Sequence, residues 1–225
     1  MMFDLDSLSD TDVLVVIDPQ NDFCTGGALA VPDGEAIMPL VNRLAERFAH
    51  VVLTQDWHPP GQISFASTHG VAPFSTIQAP YGEQVMWPDH CVRGTPGAAF
   101  HALLREGAET RAELIVRKGY NRAVDSYSAF YENDKTTATG LAGYLRERGL
   151  RRCVFVGLAL DFCVRFSAED AVAEGFEAVI LTDATRAIDM DGSLHAALAA
   201  LEAKGVVLAT ALPFPPQAGE GDRAP

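Results

Sequence analysis

The stretch Cys153-Val-Phe-Val-Gly-Leu-Ala-Leu-Asp-Phe-Cys163 is the most informative part of this chain for its fold. Its first half, Cys153–Gly157, is an apolar run without alternation, which is typical of a strand buried on both faces of a parallel sheet. A helical pattern follows after a short turn, with Phe162, Phe166 and Val172 on one face. A buried strand that passes directly into a helix is the repeating unit of an α/β fold.

The same alternation of strands and helices extends over most of the chain. Five other apolar runs have the length of a strand: Asp12–Ile17, Val51–Thr54, Glu113–Arg117, Glu177–Leu181 and Val206–Leu208. Helical patterns lie between them over residues 37–48, from about 136 to 149, and over 193–204. This order predicts a three-layer α/β fold of Rossmann-like topology, with a parallel sheet covered by helices on both faces.

Length and composition suit one domain with a large core. The chain has 225 residues, of which 48% are hydrophobic, and we expect a single domain over residues 1–212. Residues 56–96 interrupt the alternation, and a loop of this length in a compact domain is usually functional. The Pro- and Gly-rich residues 213–225 are expected to form a flexible tail.

Net charge and the lack of targeting signals restrict which partners and which compartment we expect. The formal net charge is −13, which argues against binding to nucleic acid or to anionic membranes. The N-terminus lacks the pattern of a signal peptide, and the apolar runs are too short to span a membrane. The four cysteines form no CxxC pair and are expected to be free thiols. We therefore expect a cytoplasmic protein, either a monomer or a homodimer.

Three chemically active side chains follow strand-like runs. Asp18, Lys118 and Cys163 each stand at or beyond the carboxyl end of one, where ligands collect in open α/β sheets. A carboxylate, an ammonium group and a thiol brought together form an activated nucleophile. Each residue alone also has a structural interpretation: a small buried residue for Cys163, a strand cap for Asp18 and a solvated charge for Lys118. Their common position favours a catalytic site.

The position of Cys163 in the chain suggests how the thiol is activated. We expect Cys163 in the first turn of a helix, with Asp161 as the N-cap. The positive end of the helix dipole would then lower the pKa of the thiol. The free backbone N–H groups of the same turn could bind a developing oxyanion.

A metal site is indicated by Asp56, His58 and His90. Asp56 and His58 follow the second strand as an Asp-x-His pair, and His90 lies in the same long loop. Two imidazoles and one carboxylate suit a single divalent ion such as Zn²⁺, Fe²⁺ or Mn²⁺. The alternative is that both histidines only form hydrogen bonds within the loop.

Three aromatic residues follow the strands that carry the candidate catalytic and metal-binding groups. Phe23, Trp87 and Tyr127 could bind a flat ring by stacking, or could simply pack the loops together.

Seven sequence blocks resemble one family, the nicotinamidase (pyrazinamidase) branch of the isochorismatase-like cysteine hydrolases. The resemblance runs from about residue 11 to 210. The blocks are Asp18-Pro-Gln-Asn-Asp-Phe23, Thr54-Gln-Asp-Trp-His-Pro59, Ser64-Phe-Ala-Ser67, Trp87-Pro-Asp-His-Cys-Val92, Lys118-Gly119, Asp125-Ser-Tyr-Ser-Ala-Phe130 and Gly157-Leu-Ala-Leu-Asp-Phe-Cys-Val164.

The resemblance implies a six-stranded sheet and hydrolysis of nicotinamide to nicotinate and ammonia, as in NAD salvage, with pyrazinamide as a second substrate. By position, it assigns Cys163 as the nucleophile, Asp18 as the proton acceptor and Lys118 as the charged partner. It also implies a cis peptide bond between Leu158 and Ala159, which shapes an oxyanion hole formed by the N–H groups of Ala159 and Cys163.

The resemblance also implies how substrate and metal are held. It assigns Asp56, His58 and His90 as ligands of one divalent metal ion, which Ser64 reaches through water. It assigns Phe23, Trp87 and Tyr127 to the wall that binds the ring.

Two departures from the family pattern leave alternatives open. Leu160 stands where relatives often have Thr, and Gly61-Gln-Ile63 stands where some members have a further histidine ligand. We therefore expect three protein ligands to the metal. The alternative functions are an amidase of the same family that acts on a carbamoyl or ureido substrate, and a catalytically silent binding protein.

Overall fold

The computed structural model describes residues 1–212, which form eight strands and six α-helices. The strands are β1 (Asp12–Ile17), β2 (His50–Asp56), β3 (Thr76–Ala79), β4 (Gly82–Val85), β5 (Leu114–Lys118), β6 (Arg152–Leu158), β7 (Glu177–Arg186) and β8 (Val207–Ala209). The helices are α1 (Met38–Arg47), α2 (Ala66–His69), α3 (Ala108–Arg111), α4 (Leu141–Glu147), α5 (Arg165–Ala173) and α6 (Ser193–Ala203). No helix in this part of the chain is long and apolar enough to cross a membrane. The tail expected at 213–225 lies outside the described residues.

Six of the strands form one parallel sheet in the order β5-β2-β1-β6-β7-β8. The central strands are buried on both faces, and all six residues of β1 are inaccessible to solvent. Continuous Val, Leu and Ile runs suit this position because both faces of each strand are covered. The predicted six-stranded parallel α/β fold is confirmed.

The strand order determines which face each helix covers. The connections β1–β2 and β2–β5 lead toward one edge of the sheet, whereas β6–β7 and β7–β8 lead toward the other. Because such crossovers are right-handed, α1 and α3 cover one face, and α5 and α6 cover the opposite face. The contacts between α1 and α3 and between α5 and α6 agree with this arrangement. The chain direction across the sheet reverses between β1 and β6, which is where open α/β sheets bind ligands.

Several elements differ from the sequence expectation. The long loop contains the short helix α2 and the hairpin β3–β4, whose elements have only four residues each and are too short to be found from periodicity. Helix α4 begins at Leu141 rather than near residue 136, directly after Gly140, which has a φ of +98°. Strand β7 continues to Arg186, beyond the apolar run, because its half-polar end still pairs with β6.

Candidate active site

Lys118 lies at the centre of a buried cluster at the carboxyl edge of the sheet. Its ammonium group lies 2.7 Å from Asp18 Oδ2 and 3.4 Å from Cys163 Sγ. It also pairs with the Asp56 carboxylate and donates to the Ser126 carbonyl at 3.1 Å. Lys118 is only 1% exposed. A fully buried ammonium group is stable here because two carboxylates surround it.

Asp18 is fixed by the backbone and by a neighbouring strand. The Thr54 hydroxyl donates to Asp18 Oδ1 at 2.7 Å and accepts from the Asp18 N–H at 3.0 Å. Asp18 has a φ of +45°, an uncommon conformation for a residue other than glycine. One carboxylate oxygen of Asp18 and one of Asp56 lie within 4.8 Å of each other and of Cys163 Sγ. Asp18 therefore lies close to the thiol, and Lys118 contacts both groups.

Burial controls the ionisation of this cluster. It raises the pKa of Asp18 to about 6, although the charge of Lys118 limits the rise. Burial also raises the pKa of the Cys163 thiol well above its usual range, and Lys118 offsets this only in part. Burial alone would lower the pKa of Lys118, but Asp18 and Asp56 outweigh it and hold that pKa well above its usual value. The resting state thus has a protonated thiol, an ammonium ion and a carboxylate.

This ionisation corrects the expectation that a helix dipole lowers the thiol pKa. Cys163 does not lie in the first turn of an α-helix, but in a π-helical turn, Leu160–Val164, that precedes α5. The turn is closed by the Ala159 carbonyl, which accepts from the N–H groups of Phe162 and Val164, each at 3.1 Å. Since the desolvation of a fully buried thiolate is the dominant effect, the thiol requires a base to release its proton.

The turn is entered through a cis peptide bond between Leu158 and Ala159. Ala159 and Cys163 both line the cavity described below, which brings together the two backbone segments expected to bind an oxyanion. Gly157 precedes the turn with a φ of +111°, and a Cβ there would lie 2.1 Å from the Ile17 carbonyl oxygen. Only glycine fits at this position, because β1 and β6 approach each other too closely for a side chain.

Asp161 is not the N-cap that the sequence predicted. Its carboxylate points away from the turn and accepts two hydrogen bonds from the loop after β7 and a third from Ser193 at the start of α6. The N-cap position of the turn is Ala159, which has no side chain that could cap it.

Asp56, His58 and His90 form a second cluster beside the first. His58 Nε2 and His90 Nε2 lie 3.5 and 3.8 Å from the same oxygen, Asp56 Oδ2. Each Nδ1 contacts a backbone carbonyl, of Gly119 at 3.0 Å and of Pro88 at 2.8 Å. Because a carbonyl oxygen can only accept, these contacts place a proton on Nδ1 of each ring, and both Nε2 atoms face Asp56 Oδ2. The donor set fits a divalent metal ion such as Zn²⁺.

Neighbouring backbone segments lie close to the two histidines and hold them in place. Gly119 has a φ of +68°, and a Cβ there would lie 2.4 Å from the His58 ring. The His58 N–H donates to the Cys91 carbonyl at 3.1 Å, which ties the loop that carries His90 to the end of β2. Among the described residues, the buried Ser64 hydroxyl has no hydrogen-bond partner.

A cavity of about 340 Å³, including the open solvent at its mouth, is lined by Cys163 and by Asp56, His58 and His90. The predicted aromatic residues Phe23, Trp87 and Tyr127 all line it. The Trp87 Nε1–H donates to the Tyr127 hydroxyl at 3.0 Å, and Trp87 packs edge to face against Phe162, with 4.9 Å between ring centroids. Apolar walls with a few convergent polar groups are typical of small-molecule sites.

Sequence reasoning missed several residues of the site. Leu29, Phe162 and Ile188 complete the apolar wall, and Asp125 adds a buried carboxylate to the lining. Thr54, which holds Asp18, looked like an ordinary strand residue. Its place at the carboxyl end of the strand beside β1 was the signal that could have found it.

Comparison with known proteins places this arrangement in a family. Residues 12–212 match the model of the isochorismatase domain. A nicotinamidase of Acinetobacter baylyi is 52% identical over 194 residues, covering 86% of this chain and 89% of that protein. A nicotinamidase/pyrazinamidase structure from Acinetobacter baumannii has a TM-score of 0.88 and 49% identity, covering 91% of this chain and 98% of that chain.

Two further solved structures contain ligands. The yeast nicotinamidase bound to the inhibitor nicotinaldehyde has a TM-score of 0.83 and 31% identity, covering 88% of this chain and 99% of that chain. The pyrazinamidase of Pyrococcus horikoshii in complex with zinc has a TM-score of 0.71 and 35% identity, covering 89% and 99%. The resemblance noted in the sequence is thus confirmed over nearly the whole chain, which belongs to the isochorismatase-domain family.

Proposed function

We propose that this protein is a nicotinamidase that hydrolyses nicotinamide to nicotinate and ammonia through a thioester on Cys163. The observation that carries the proposal is an aromatic-lined cavity that is lined both by Cys163, whose thiol contacts Lys118, and by Asp56, His58 and His90. The similarity to nicotinamidases of 52% and 49% identity supports the same substrate. The pyrazinamidase names among the relatives support pyrazinamide as a second substrate.

The reaction begins with proton transfer from Cys163. Asp18, with a pKa raised by burial to about 6, is ionised at neutral pH yet basic enough to take the thiol proton. The Lys118 ammonium group, 3.4 Å from Sγ, stabilises the thiolate so formed. Sulfur then bonds to the carboxamide carbon as the electron pair of the C=O double bond moves to oxygen. The N–H groups of Ala159 and Cys163 bind the oxyanion, and each such donor is worth about 3 kcal/mol.

Asp18 then completes the cycle in its second role. It returns the proton to the departing nitrogen as the C–N bond breaks, ammonia leaves, and a nicotinoyl thioester remains on Cys163. Asp18 next takes a proton from water, which attacks the thioester carbonyl. The C–S bond breaks, nicotinate is released, and the sulfur recovers its proton from Asp18.

We propose that Asp56, His58 and His90 hold one divalent metal ion, and Zn²⁺ is supported by the zinc complex of the Pyrococcus relative. When bound, the ion would accept the pyridine nitrogen as a ligand and so orient the ring. Phe23, which lies against the His90 ring with 5.5 Å between centroids, and Trp87 confine the ring from the sides. Ring placement and covalent chemistry are thus separate tasks of neighbouring residues.

The experiment that tests the function compares three amides. Purified protein of known metal content is incubated with nicotinamide, with pyrazinamide and with a ureido compound, and ammonia and the acid product are measured. Equal amounts of ammonia and nicotinate are expected from nicotinamide. Turnover of the ureido compound alone would instead support the alternative family activity. No turnover of any of the three by the metal-loaded protein would support a silent binding protein.

A further inference from the structure

The loop that follows β7 closes one side of the cavity and is hydrogen-bonded to the nucleophile turn through the side chain of Asp161. Ile188, in this loop, lines the cavity together with Ala159 and Cys163. Asp161, two residues before Cys163 in the chain, is only 2% exposed and points into the loop. This places a buried carboxylate between the catalytic turn and one wall of the cavity.

Three hydrogen bonds form the attachment. Asp161 Oδ1 accepts from the Ile188 N–H at 3.0 Å, and Oδ2 accepts from the Asp189 N–H at 2.8 Å and from the Ser193 hydroxyl at 2.5 Å. All three donors are neutral, and two of them belong to the backbone. A carboxylate that accepts several such bonds is a rigid anchor, because charge-assisted hydrogen bonds are stronger than neutral ones.

The loop itself needs an anchor to keep its shape. Asp189 and Asp191 have φ values of +52° and +51°, in the left-handed region that residues other than glycine seldom adopt. Such conformations persist only where surrounding contacts hold them. The Asp189 side chain accepts from the Leu194 N–H at 3.3 Å, which ties it to the start of α6 and not to the cavity. Asp161 is the side chain that hydrogen-bonds this loop to the nucleophile turn.

We propose that Asp161 is a positioning residue that selects the substrate by holding Ile188 against the ring. This inference rests on the proposed function and adds a specificity determinant to it. In this role Asp161 touches neither the substrate nor the thiol, so its loss should weaken binding of the ring and admit bulkier rings. The intrinsic reactivity of Cys163 should remain, because the Ala159 carbonyl closes the nucleophile turn without Asp161.

The test is a double-mutant cycle between Asp161 and Ile188. Asp161→Asn keeps the shape of the side chain but turns an amide toward donors, and it should raise KM for nicotinamide by about tenfold with kcat little changed. Ile188→Ala should raise KM similarly. In the Ile188→Ala background, Asp161→Asn should add less than about twofold, because both changes remove the same wall. The proposal would be overturned if the two substitutions raised KM by independent factors that multiply in the double variant. It would also be overturned if the substitutions lowered kcat and left KM unchanged.

Two further variants keep the test clear. Ser193→Ala removes one of the three hydrogen bonds and should shift KM in the same direction by less. The control is Asp183→Asn, because Asp183 holds the N–H groups of Ala211 and Leu212 in the same way, but neither residue lines the cavity. This control should leave KM unchanged, and an increase equal to that of Asp161→Asn would contradict the role of the cavity wall.

Hydrogen exchange gives a readout that does not depend on turnover. In Asp161→Asn, amide exchange at Ile188 and Asp189 should accelerate, whereas the amides of Phe162 and Val164 in the nucleophile turn should exchange as in the wild type. Unchanged exchange in the loop would refute the anchor even if the enzyme were active. If the wild type released no ammonia from nicotinamide, the proposed function would fail, while this exchange result would still decide whether Asp161 holds the loop.

Discussion

The catalytic cluster (Asp18, Lys118 and Cys163) and the metal cluster (Asp56, His58 and His90) adjoin each other but are built in different ways. Asp18 and Lys118 lie at or directly beyond the ends of sheet strands, so strand register sets their positions, and Cys163 lies in the turn that leads from β6 into α5. The metal cluster takes Asp56 from the end of β2 but both histidines from the segment after it.

The difference indicates a division of tasks between scaffold and loop. Asp56 belongs to both clusters, since one of its oxygens pairs with Lys118 and the other faces the imidazoles. Changes in the catalytic cluster should therefore affect the chemical step and the stability of the sheet edge. Changes in the metal cluster should affect how the ring is held. The following experiments test this separation.

Lys118→Met should have the largest combined effect. It leaves two buried carboxylates without their cation, which should lower the free energy of unfolding by about 3–5 kcal/mol. It should also lower kcat by about 10²–10⁴-fold, since both the thiolate and the base lose their partner. Urea unfolding and steady-state kinetics measure the two effects.

The matched control is Lys135→Met, because Lys135 pairs with Asp170 at the surface, at 3.0 Å. An exposed ion pair contributes about 0–1 kcal/mol, so this variant should remain close to wild type. Equal decreases in the free energy of unfolding and in kcat in the two variants would contradict the central role of the buried lysine.

His58→Ala should separate the two clusters. Bound metal should fall and KM for nicotinamide should rise, each by at least about 10–100-fold, because one of three ligands is lost. The alkylation rate of Cys163 by iodoacetamide should stay near that of the wild type, since the catalytic cluster is intact. His195→Ala, at an exposed position on α6, is the control. Unchanged metal content in His58→Ala would remove His58 from the ligand set.

The pH profile tests the role of Asp18. Its pKa is raised by burial to about 6, and the base must be ionised to act, so kcat/KM should be full above that pH and fall below it. The fall should approach about tenfold per pH unit. Measurements must include metal content at each pH, so that loss of the ion is distinguished from protonation of Asp18. A profile that stays flat well below pH 6 at constant metal content would exclude Asp18 as the base.

Leu160→Thr should have the smallest effect on turnover. Leu160 is buried in a groove with Leu194 and Leu198, outside the substrate cavity, although it belongs to the nucleophile turn. Restoring the Thr that relatives often carry should cost about 2 kcal/mol of stability and leave kcat within about twofold. A large gain in kcat would show that Leu160 impairs the catalytic turn.

The sequence predicted much of the scaffold because burial on both faces leaves a clear signal. The run Asp12–Ile17 is β1 to the residue. The hairpin β3–β4 left no such signal, since it is held by side chains such as Gln84, which reaches the Tyr127 hydroxyl at 2.9 Å. The role of Asp161 could not be predicted from the local sequence either, because its hydrogen-bond partners lie 27–32 residues away in the chain.

The ionisation states of the site could not be predicted from the sequence either. A helix N-terminus would lower the pKa of Cys163, yet burial raises it, and only the structure shows that desolvation is the larger effect. Conversely, the positions of Asp18, Lys118, Asp56, His58 and His90 were predictable, because each follows or ends a recognisable strand or lies in a distinctive block.

The most direct measurement is ammonia release from nicotinamide by the wild type and by Cys163→Ala, with bound metal quantified in both. The account predicts release by the wild type only, with rates differing by more than about 10⁴-fold and with equal metal content. Near-normal release by Cys163→Ala would contradict the covalent route. No release by the metal-loaded wild type would contradict the assignment of the substrate.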